Sequence, residues 1–238
     1  MDNPGYVTLT RQSGLLREMQ VLAHNVANLS TVGFRREGVV FSEFVRRLDD
    51  DEATLSMAAA NARQTYLDQG ALTSTGGPLD LAIEGDGFFL VDTPAGERLT
   101  RAGHFLRNAG GEMVTPEGHR LLDAGGAPIF LPADAGPIGI ARDGTISAAG
   151  EPLAQLGLVR PEDPAQISRE GGNLLNVAGE ILPAEEAVLH QGFLEESNVN
   201  PINEMARMVA VQRAYEAGQS FLEREDERIR AVIRTLGS

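Results

Sequence analysis

The feature of this sequence that most constrains its fold is a pair of apolar stripes, one at each end. Near the N-terminus, apolar side chains recur at spacings of four, three, four and three residues: Leu15, Met19, Leu22, Val26 and Leu29. Near the C-terminus the same alternation runs almost to the last residue, through Met205, Met208, Gln212, Tyr215, Gln219, Leu222, Asp226, Ile229, Ile233 and Leu236. Such heptad spacing is typical of a helix that packs lengthwise against another helix. It therefore predicts two long terminal helices that pair as a coiled coil.

The boundaries of both helices have their own signals. The first helix should end near Asn28, because Asn28 and Thr31 compete for backbone hydrogen bonds and Gly33 can adopt a left-handed conformation. The second should begin at Pro201, since Asn200 is a good N-cap and a first-turn proline needs no N–H donor. A helix of about 36 residues is roughly 54 Å long, which exceeds the width of a compact domain formed by the remaining chain.

Two such helices would be only marginally stable by themselves. The seven apolar members of the C-terminal stripe contribute at most ~10–20 kcal/mol when buried. Ordering a helix of about 36 residues costs at least as much. We therefore expect the stripes to be covered by other chains. The alternative is that both are core helices packed on the rest of their own chain.

Between the stripes the sequence has the alternation and turns of antiparallel β structure. Of 27 glycines, 21 lie between Gly70 and Gly192. Strands are predicted at Leu79–Ile83 and Phe88–Val91, with a turn in which Asp86-Gly87 supports a positive φ, and a hairpin through Asp143-Gly144. The predicted fold class is α+β, with long terminal helices and a central antiparallel β-rich domain. The predicted domains are 1–34 plus 195–238 (helical coiled coil), 35–66 (flexible connector) and 67–194 (β-rich).

Composition argues against several functions. The net charge is −14, and an acidic surface repels nucleic-acid backbones and anionic lipids. No apolar run approaches the length of a membrane span, so no membrane insertion is expected. The start of the chain lacks the basic tip and apolar core of a secretory signal. Without cysteine, the chain has no disulfide, thiol nucleophile or thiolate metal site.

The sequence contains no familiar catalytic motif, and its four histidines are scattered. We therefore expect no catalytic residue, no metal and no cofactor. Three clustered acids, Asp80, Glu84 and Asp86, leave open a hydrolase with paired carboxylates. Asp86 already has a turn role, and Asp80 alternates with apolar neighbours as an outward-facing strand residue.

Four blocks, in order along the chain, resemble the family of flagellar rod and hook proteins: "NVANLSTVGFRRE" (25–37), "LTSTGGPLDLAIEGDGFFLV" (72–91), "LTRAGHFLRNAGGEMVTPEGHRLL" (99–122) and "GFLEESNVNPINEMARMVAVQRAYE" (192–216). The residues that carry the family motif are Asn28, Thr31, Gly33, Phe34, Ser197, Asn198, Asn200 and Pro201. The base that follows the first motif is commonly Lys in the family and is Arg35 here. The chain length suits a rod protein, and the opening "MDNPGY" is more similar to proximal-rod than to distal-rod members.

The resemblance implies a structural, non-enzymatic subunit of the periplasmic rod, the drive shaft of the bacterial flagellum. It implies export by the flagellar type III apparatus without a cleaved signal, and assembly with other rod proteins and with copies of itself. Subunits would contact each other through Leu15, Met19, Leu22, Val26, Leu29, Met205, Met208, Tyr215, Leu222, Ile229, Ile233 and Leu236. Two alternatives from other classes are a periplasmic peptidoglycan hydrolase and an adaptor that binds partner helices without polymerising.

Overall fold

The computed structural model describes residues 3–46, 55–132, 134 and 136–236. The chain divides into two compact units. The helical unit comprises Met1–Ala27, Glu37–Gln64 and Asn200–Ser238, and the β unit comprises Asn28–Arg36 and Thr65–Val199. A helix at each end and a β-rich centre confirm the predicted α+β class.

The helical unit contains two long helices and a two-stranded sheet. Its elements are α1 (Asn3–Ala27), β1 (Glu37–Arg46), β2 (Leu55–Thr65, whose last residue belongs to the β unit) and α2 (Pro201–Leu236), with β1 paired to β2. These strands lie in the segment predicted as a flexible connector, and its mobility stays a prediction. Neither helix has an apolar stretch that could span a bilayer, within the residues that the structure describes.

The start of α2 matches the sequence signals. Pro201 is its first residue, and the side-chain Oδ1 of Asn200 accepts hydrogen bonds from the N–H groups of Ile202 and Asn203, at 3.1 Å each. These bonds satisfy two of the donors that every helix N-terminus leaves open. Local capping chemistry therefore fixes where α2 begins.

The β unit consists of short strands joined by tight turns. The strands are β3 (Leu72–Ser74), β4 (Leu81–Glu84), β5 (Phe88–Thr93), β6 (Gly96–Thr100), β7 (Leu106–Arg107), β8 (Met113–Val114), β9 (Arg120–Leu121), β10 (Ile138–Ile140), β11 (Thr145–Ala148), β12 (Glu151–Gln155), β13 (Leu158–Pro161), β14 (Ile167–Arg169), β15 (Leu175–Val177), β16 (Ile181–Pro183), β17 (Val188–Gln191) and β18 (Phe193–Glu195). The main sheet has the order β14-β15-β6-β5-β9-β8-β7, with β13 paired to both β5 and β16. The other strands form β10-β11-β12, β17-β4 and β18-β3. These pairs are antiparallel, as predicted.

The core of the β unit lies on both faces of β5. Phe89 and Val91 belong to one buried cluster, while Phe88 and Leu90 belong to another. Successive strand residues point to opposite faces, so a strand buried on both sides reads as a continuous apolar run. In the larger cluster, the rings of Phe89 and Phe105 meet edge to face with centroids 5.2 Å apart.

The turn between β4 and β5 differs from the sequence prediction. The two strands do not pair with each other, because β4 pairs with β17 and β5 lies in the main sheet. The positive φ occurs at Gly85, at 92°, and not at Gly87. A Cβ on Gly87 would lie 3.1 Å from the Cβ of Ala187, so that glycine serves close packing. The hairpin through Asp143-Gly144 is present between β10 and β11.

Candidate functional site

The residues predicted to mediate assembly differ widely in exposure. In the first stripe Leu22 is buried, while Leu15, Met19, Val26 and Leu29 are half-buried. Leu29 follows the last residue of α1 and belongs to the β unit. In the second stripe the half-buried members are Met208, Tyr215 and Leu222, and the exposed ones are Met205 (53%), Ile229 (42%), Ile233 (64%) and Leu236 (83%). The middle of the α2 stripe is thus partly covered, while Met205 at its start and the three members at its C-terminal end are exposed.

The two helices lie side by side and run in opposite directions. Asn25 of α1 bonds to Glu204 near the start of α2, and Gln12 bonds to Tyr215 about eleven residues further on. Val21 and Val211 are the best-covered apolar side chains of the two helices, at 3% and 2% exposure. Neither belongs to the predicted stripes. A strict heptad drifts around a straight helix of 3.6 residues per turn, so the stripe and the buried face are not the same set of residues.

Polar side chains occupy much of the buried face of α1. The Asn25 side chain is fully buried: Nδ2 donates to the Glu37 carbonyl (2.8 Å) and to the Glu204 carboxylate (3.0 Å), and Oδ1 accepts from the Glu37 N–H (3.0 Å). The Arg207 Nε donates to the carboxylate of Glu18 at 2.6 Å. Hydrophobic spacing does not reveal such residues, although each of these bonds fixes the register of its neighbours.

The C-terminal end of α2 continues past α1. Since Asn25 lies opposite Glu204 and Gln12 opposite Tyr215, Asn3 lies level with about residue 225. Residues 226–236 therefore extend beyond the described part of α1. Ile229, Ile233 and Leu236 fall three or four residues apart, on one face of this free end, and all three are exposed.

Six of the eight residues of the family motif lie in the β unit, while Asn200 and Pro201 lie in the helical unit at the start of α2. Gly33 donates its N–H to the Glu195 carbonyl at 2.7 Å, and Asn198 donates its N–H to the Phe34 carbonyl at 3.3 Å. The Asn198 side chain accepts from the N–H of Arg36 (2.6 Å) and donates to the carbonyls of Tyr66 and Asp68 (3.1 and 2.9 Å). The chain segment that follows α1 is thereby joined to the segment that precedes α2.

Glu195 is the centre of this cluster and is fully buried. Its Oε1 accepts from Arg35 Nη2 and from the Gly70 N–H, both at 2.7 Å, and its Oε2 accepts from Arg101 Nη1 at 3.1 Å. Arg101 also donates to the carbonyls of Ile83 and Gly85. Burial lowers the pKa of Arg101 to about 10, and the Glu195 carboxylate opposes that shift. One buried carboxylate therefore compensates two buried guanidinium groups.

The remaining motif residues shape the turn around this cluster. Thr31 Oγ1 donates to Asn28 Oδ1 at 3.0 Å, and Ser197 Oγ accepts from the Val199 N–H at 3.3 Å. Phe34 is buried beneath the guanidinium group of Arg169, 4.1 Å from its ring centroid. Gly33 has φ of 68°, and a Cβ there would lie 2.3 Å from the Arg101 carbonyl carbon. Its identity follows from both backbone conformation and space.

Two of the three clustered acids considered for catalysis, Asp80 and Glu84, have structural partners. Asp80 accepts from Thr75 Oγ1 and pairs with His104 Nδ1, both at 2.6 Å. Glu84 pairs with His190 Nε2 at 2.7 Å. Across the described ranges, no three His, Asp or Glu side chains group as potential metal ligands.

Comparison with known proteins finds two matching families. Residues 82–148 match the family described as the flagellar hook protein FlgE/F/G D1 domain, and residues 190–235 match the flagellar basal body rod FlgEFG protein C-terminal family. The chain is 37% identical over 245 residues to the flagellar basal-body rod protein FlgF of Caulobacter vibrioides, covering 100% of this chain and 99% of that protein. It is 39% identical over 243 residues to FlgF of Mesorhizobium japonicum, with the same coverage. FlgG of Bacillus subtilis is 29% identical over 255 residues, covering 96% of this chain and 97% of that protein.

Proposed function

This chain belongs to the family of the flagellar basal-body rod protein FlgF, and we propose that it builds the rod by polymerising helically through its two terminal helices. It is a structural rod subunit of the flagellar basal body, as the four sequence blocks predicted. The preference for the FlgF branch over FlgG is confirmed by the higher identity to FlgF proteins over the full length.

The observation that carries the proposal is the exposed apolar face at the free end of α2. Ile229, Ile233 and Leu236 are 42%, 64% and 83% exposed, although they continue the stripe whose middle is half-buried against α1. Several exposed apolar side chains on one helix face mark an interaction surface. A helix end of this kind is stabilised when neighbouring helices cover it.

Within the assembly, α1 and α2 pair as a coiled coil, and neighbouring subunits complete the coverage of both stripes. The interface consists of the residues predicted from the stripes, namely Leu15, Met19, Leu22, Val26, Leu29, Met205, Met208, Tyr215, Leu222, Ile229, Ile233 and Leu236. A head-to-tail contact that does not close into a ring produces a filament, which is the form a shaft requires.

Membership of the family supports a location in the flagellar basal body and interaction with other rod proteins. In this proposal the subunit stands in the periplasmic rod between other rod proteins and reaches that place through the flagellar type III export apparatus. It is not an enzyme and requires no cofactor. The relatives support this, since their names describe rod proteins.

The test removes only the free end of α2. A chain truncated after Glu225 keeps the part of α2 that contacts α1, so we expect an unchanged unfolding midpoint but loss of polymer in sedimentation and loss of swimming in complemented cells. A second variant has full length and carries Ile229→Gln, Ile233→Gln and Leu236→Gln. These substitutions keep the helix but remove its apolar face. It should fail to assemble as the truncated chain does. Normal swimming from either chain would contradict the proposal.

A further inference from the structure

A groove between α1 and α2 is the other distinctive surface of the helical unit. It has a volume of about 360 Å³ and is lined by Leu15 of α1 and by Ala214, Ala217, Gly218 and Phe221 of α2, with Arg11 and Gln12 among its other lining residues. Three of the lining residues that α2 contributes, Ala214, Ala217 and Gly218, are small. A Cβ on Gly218 would lie 2.4 Å from Gln12 Nε2, so Gly218 leaves the space that the Gln12 amide occupies. The groove is lined mainly by apolar and small residues.

Gln12, one of the lining residues, carries a polar atom that is buried and unpaired. Its side chain is 7% exposed, and Nε2 donates to the Tyr215 carbonyl at 2.9 Å. Its Oε1 is buried without a hydrogen-bond donor among the described residues. A buried acceptor without a donor destabilises the state that contains it, so a ligand that supplies an N–H or O–H group would be favoured here.

The side chains at the free end of α2 are complementary to those that line this groove. It presents Ile229, Ile233 and Leu236 on one face, and these match an apolar groove. Beside that face lies Arg234, whose Nε donates to the Arg230 carbonyl at 3.4 Å, so its Nη groups remain as donors for a polar atom of the groove. The charges also correspond. Arg11 at the groove and Glu227 at the start of the free end have no ion-pair partner in the part of the chain described.

We propose that residues 226–236 of one copy of this chain dock in the α1–α2 groove of the next copy. This inference rests on the proposed function and names the contact that propagates the polymer. The groove and the free end are different patches of the same molecule, so the contact is heterologous and leaves a free groove and a free end at opposite ends of every oligomer. If the α2 helices of neighbouring copies run in the same direction, docking places one about 11 to 15 residues along the other, an axial offset of roughly 17–22 Å.

Paired cysteines test this contact, because the natural chain has none. Ala217→Cys is combined with Ile229→Cys in one variant and with Ile233→Cys in another, and each full-length protein is treated with mild oxidant at a concentration where it assembles. The matched control combines Ala217→Cys with Ala231→Cys, which lies at the same height on the opposite face of the helix. A disulfide requires Cα atoms about 4.4–6.8 Å apart. We expect interchain ladders on non-reducing gels from at least one of the first two variants, several-fold more abundant than from the control.

Charge reversal gives an independent readout. Arg11→Glu should raise the critical concentration for assembly about two- to five-fold, and adding Glu227→Arg to the same chain should restore it. The cross-linking results distinguish a wrong groove contact from a wrong proposed function. If the chain assembles but neither cysteine pair exceeds the control, the groove contact is wrong and the proposed function stands. If the unsubstituted chain never assembles, polymerisation through the helices is itself contradicted.

Discussion

The two units of this protein differ in how many apolar side chains they bury and in their net charge. Of the 28 buried apolar residues found in the described chain, only Val21, Leu22 and Val211 lie in the helical unit. The β unit carries 20 acidic residues against 9 Arg, a net charge of −11, whereas residues 1–27 and 200–238 each balance to zero, with two and two charges and six and six. The β unit thus has its own core and repels its copies. The helices have little core and no net repulsion.

This contrast agrees with the proposal that the terminal helices of this rod subunit, and not its β unit, mediate polymerisation. An apolar face attracts its neighbours only if the charge around it does not oppose their approach, and the neutral helices meet that condition. The negative charge of the β unit makes the β units of neighbouring copies repel each other. The contrast in charge supports the proposal that the terminal helices mediate assembly.

The largest expected effect comes from the buried carboxylate of the β unit. Glu195→Gln leaves Arg35 and Arg101 buried, at 1% and 3% exposure, without a compensating charge. We expect the free energy of unfolding to fall by about 3–5 kcal/mol in urea titrations followed by circular dichroism. The matched control is Glu196→Gln, the exposed neighbour, which should change it by less than about 0.5 kcal/mol. Equal effects of the two substitutions would show that the β unit does not depend on this cluster.

A smaller effect is expected at the glycine of the first motif segment. Gly33→Ala combines a strained φ of 68° with a Cβ placed 2.3 Å from the Arg101 backbone, and should cost about 2–4 kcal/mol. Gly76→Ala is the matched control, since Gly76 has φ of 71° but nothing within 4 Å of its added Cβ. It should cost about 1–2 kcal/mol. The same unfolding assay measures both, and a control as damaging as Gly33→Ala would assign the whole effect to φ.

The smallest effect tests the helical unit. Val211→Ala removes part of the best-covered apolar side chain of α2 and should lower the unfolding free energy by about 1–2 kcal/mol. Val209→Ala, two residues away and 47% exposed, should stay within about 0.5 kcal/mol of the unsubstituted chain. Hydrogen exchange resolved by residue should place the loss in α1 and α2. A loss that spreads through the β unit instead would mean that the two units do not differ as described.

The local features of this protein could be predicted from its sequence. The class, the two terminal helices and the first residue of α2 each depend on signals within a few residues, such as the Asn200 cap and Pro201. Family membership also followed from short blocks read in order. The exact face that α2 turns towards α1 did not follow, because periodicity shows that a stripe exists but not what covers each part of it.

Only the tertiary structure brought together residues that are distant in sequence. Glu195 meets Arg35 across 160 residues and Arg101 across 94, and Asn25 meets Glu204 across 179. All five of these polar residues are buried, although a hydropathy pattern predicts that polar residues are exposed to solvent. The sequence by itself determined which segments become helix or strand, since that choice depends on local backbone and side-chain preferences. The fold decided which segments meet, since a contact between distant residues depends on the whole path of the chain between them.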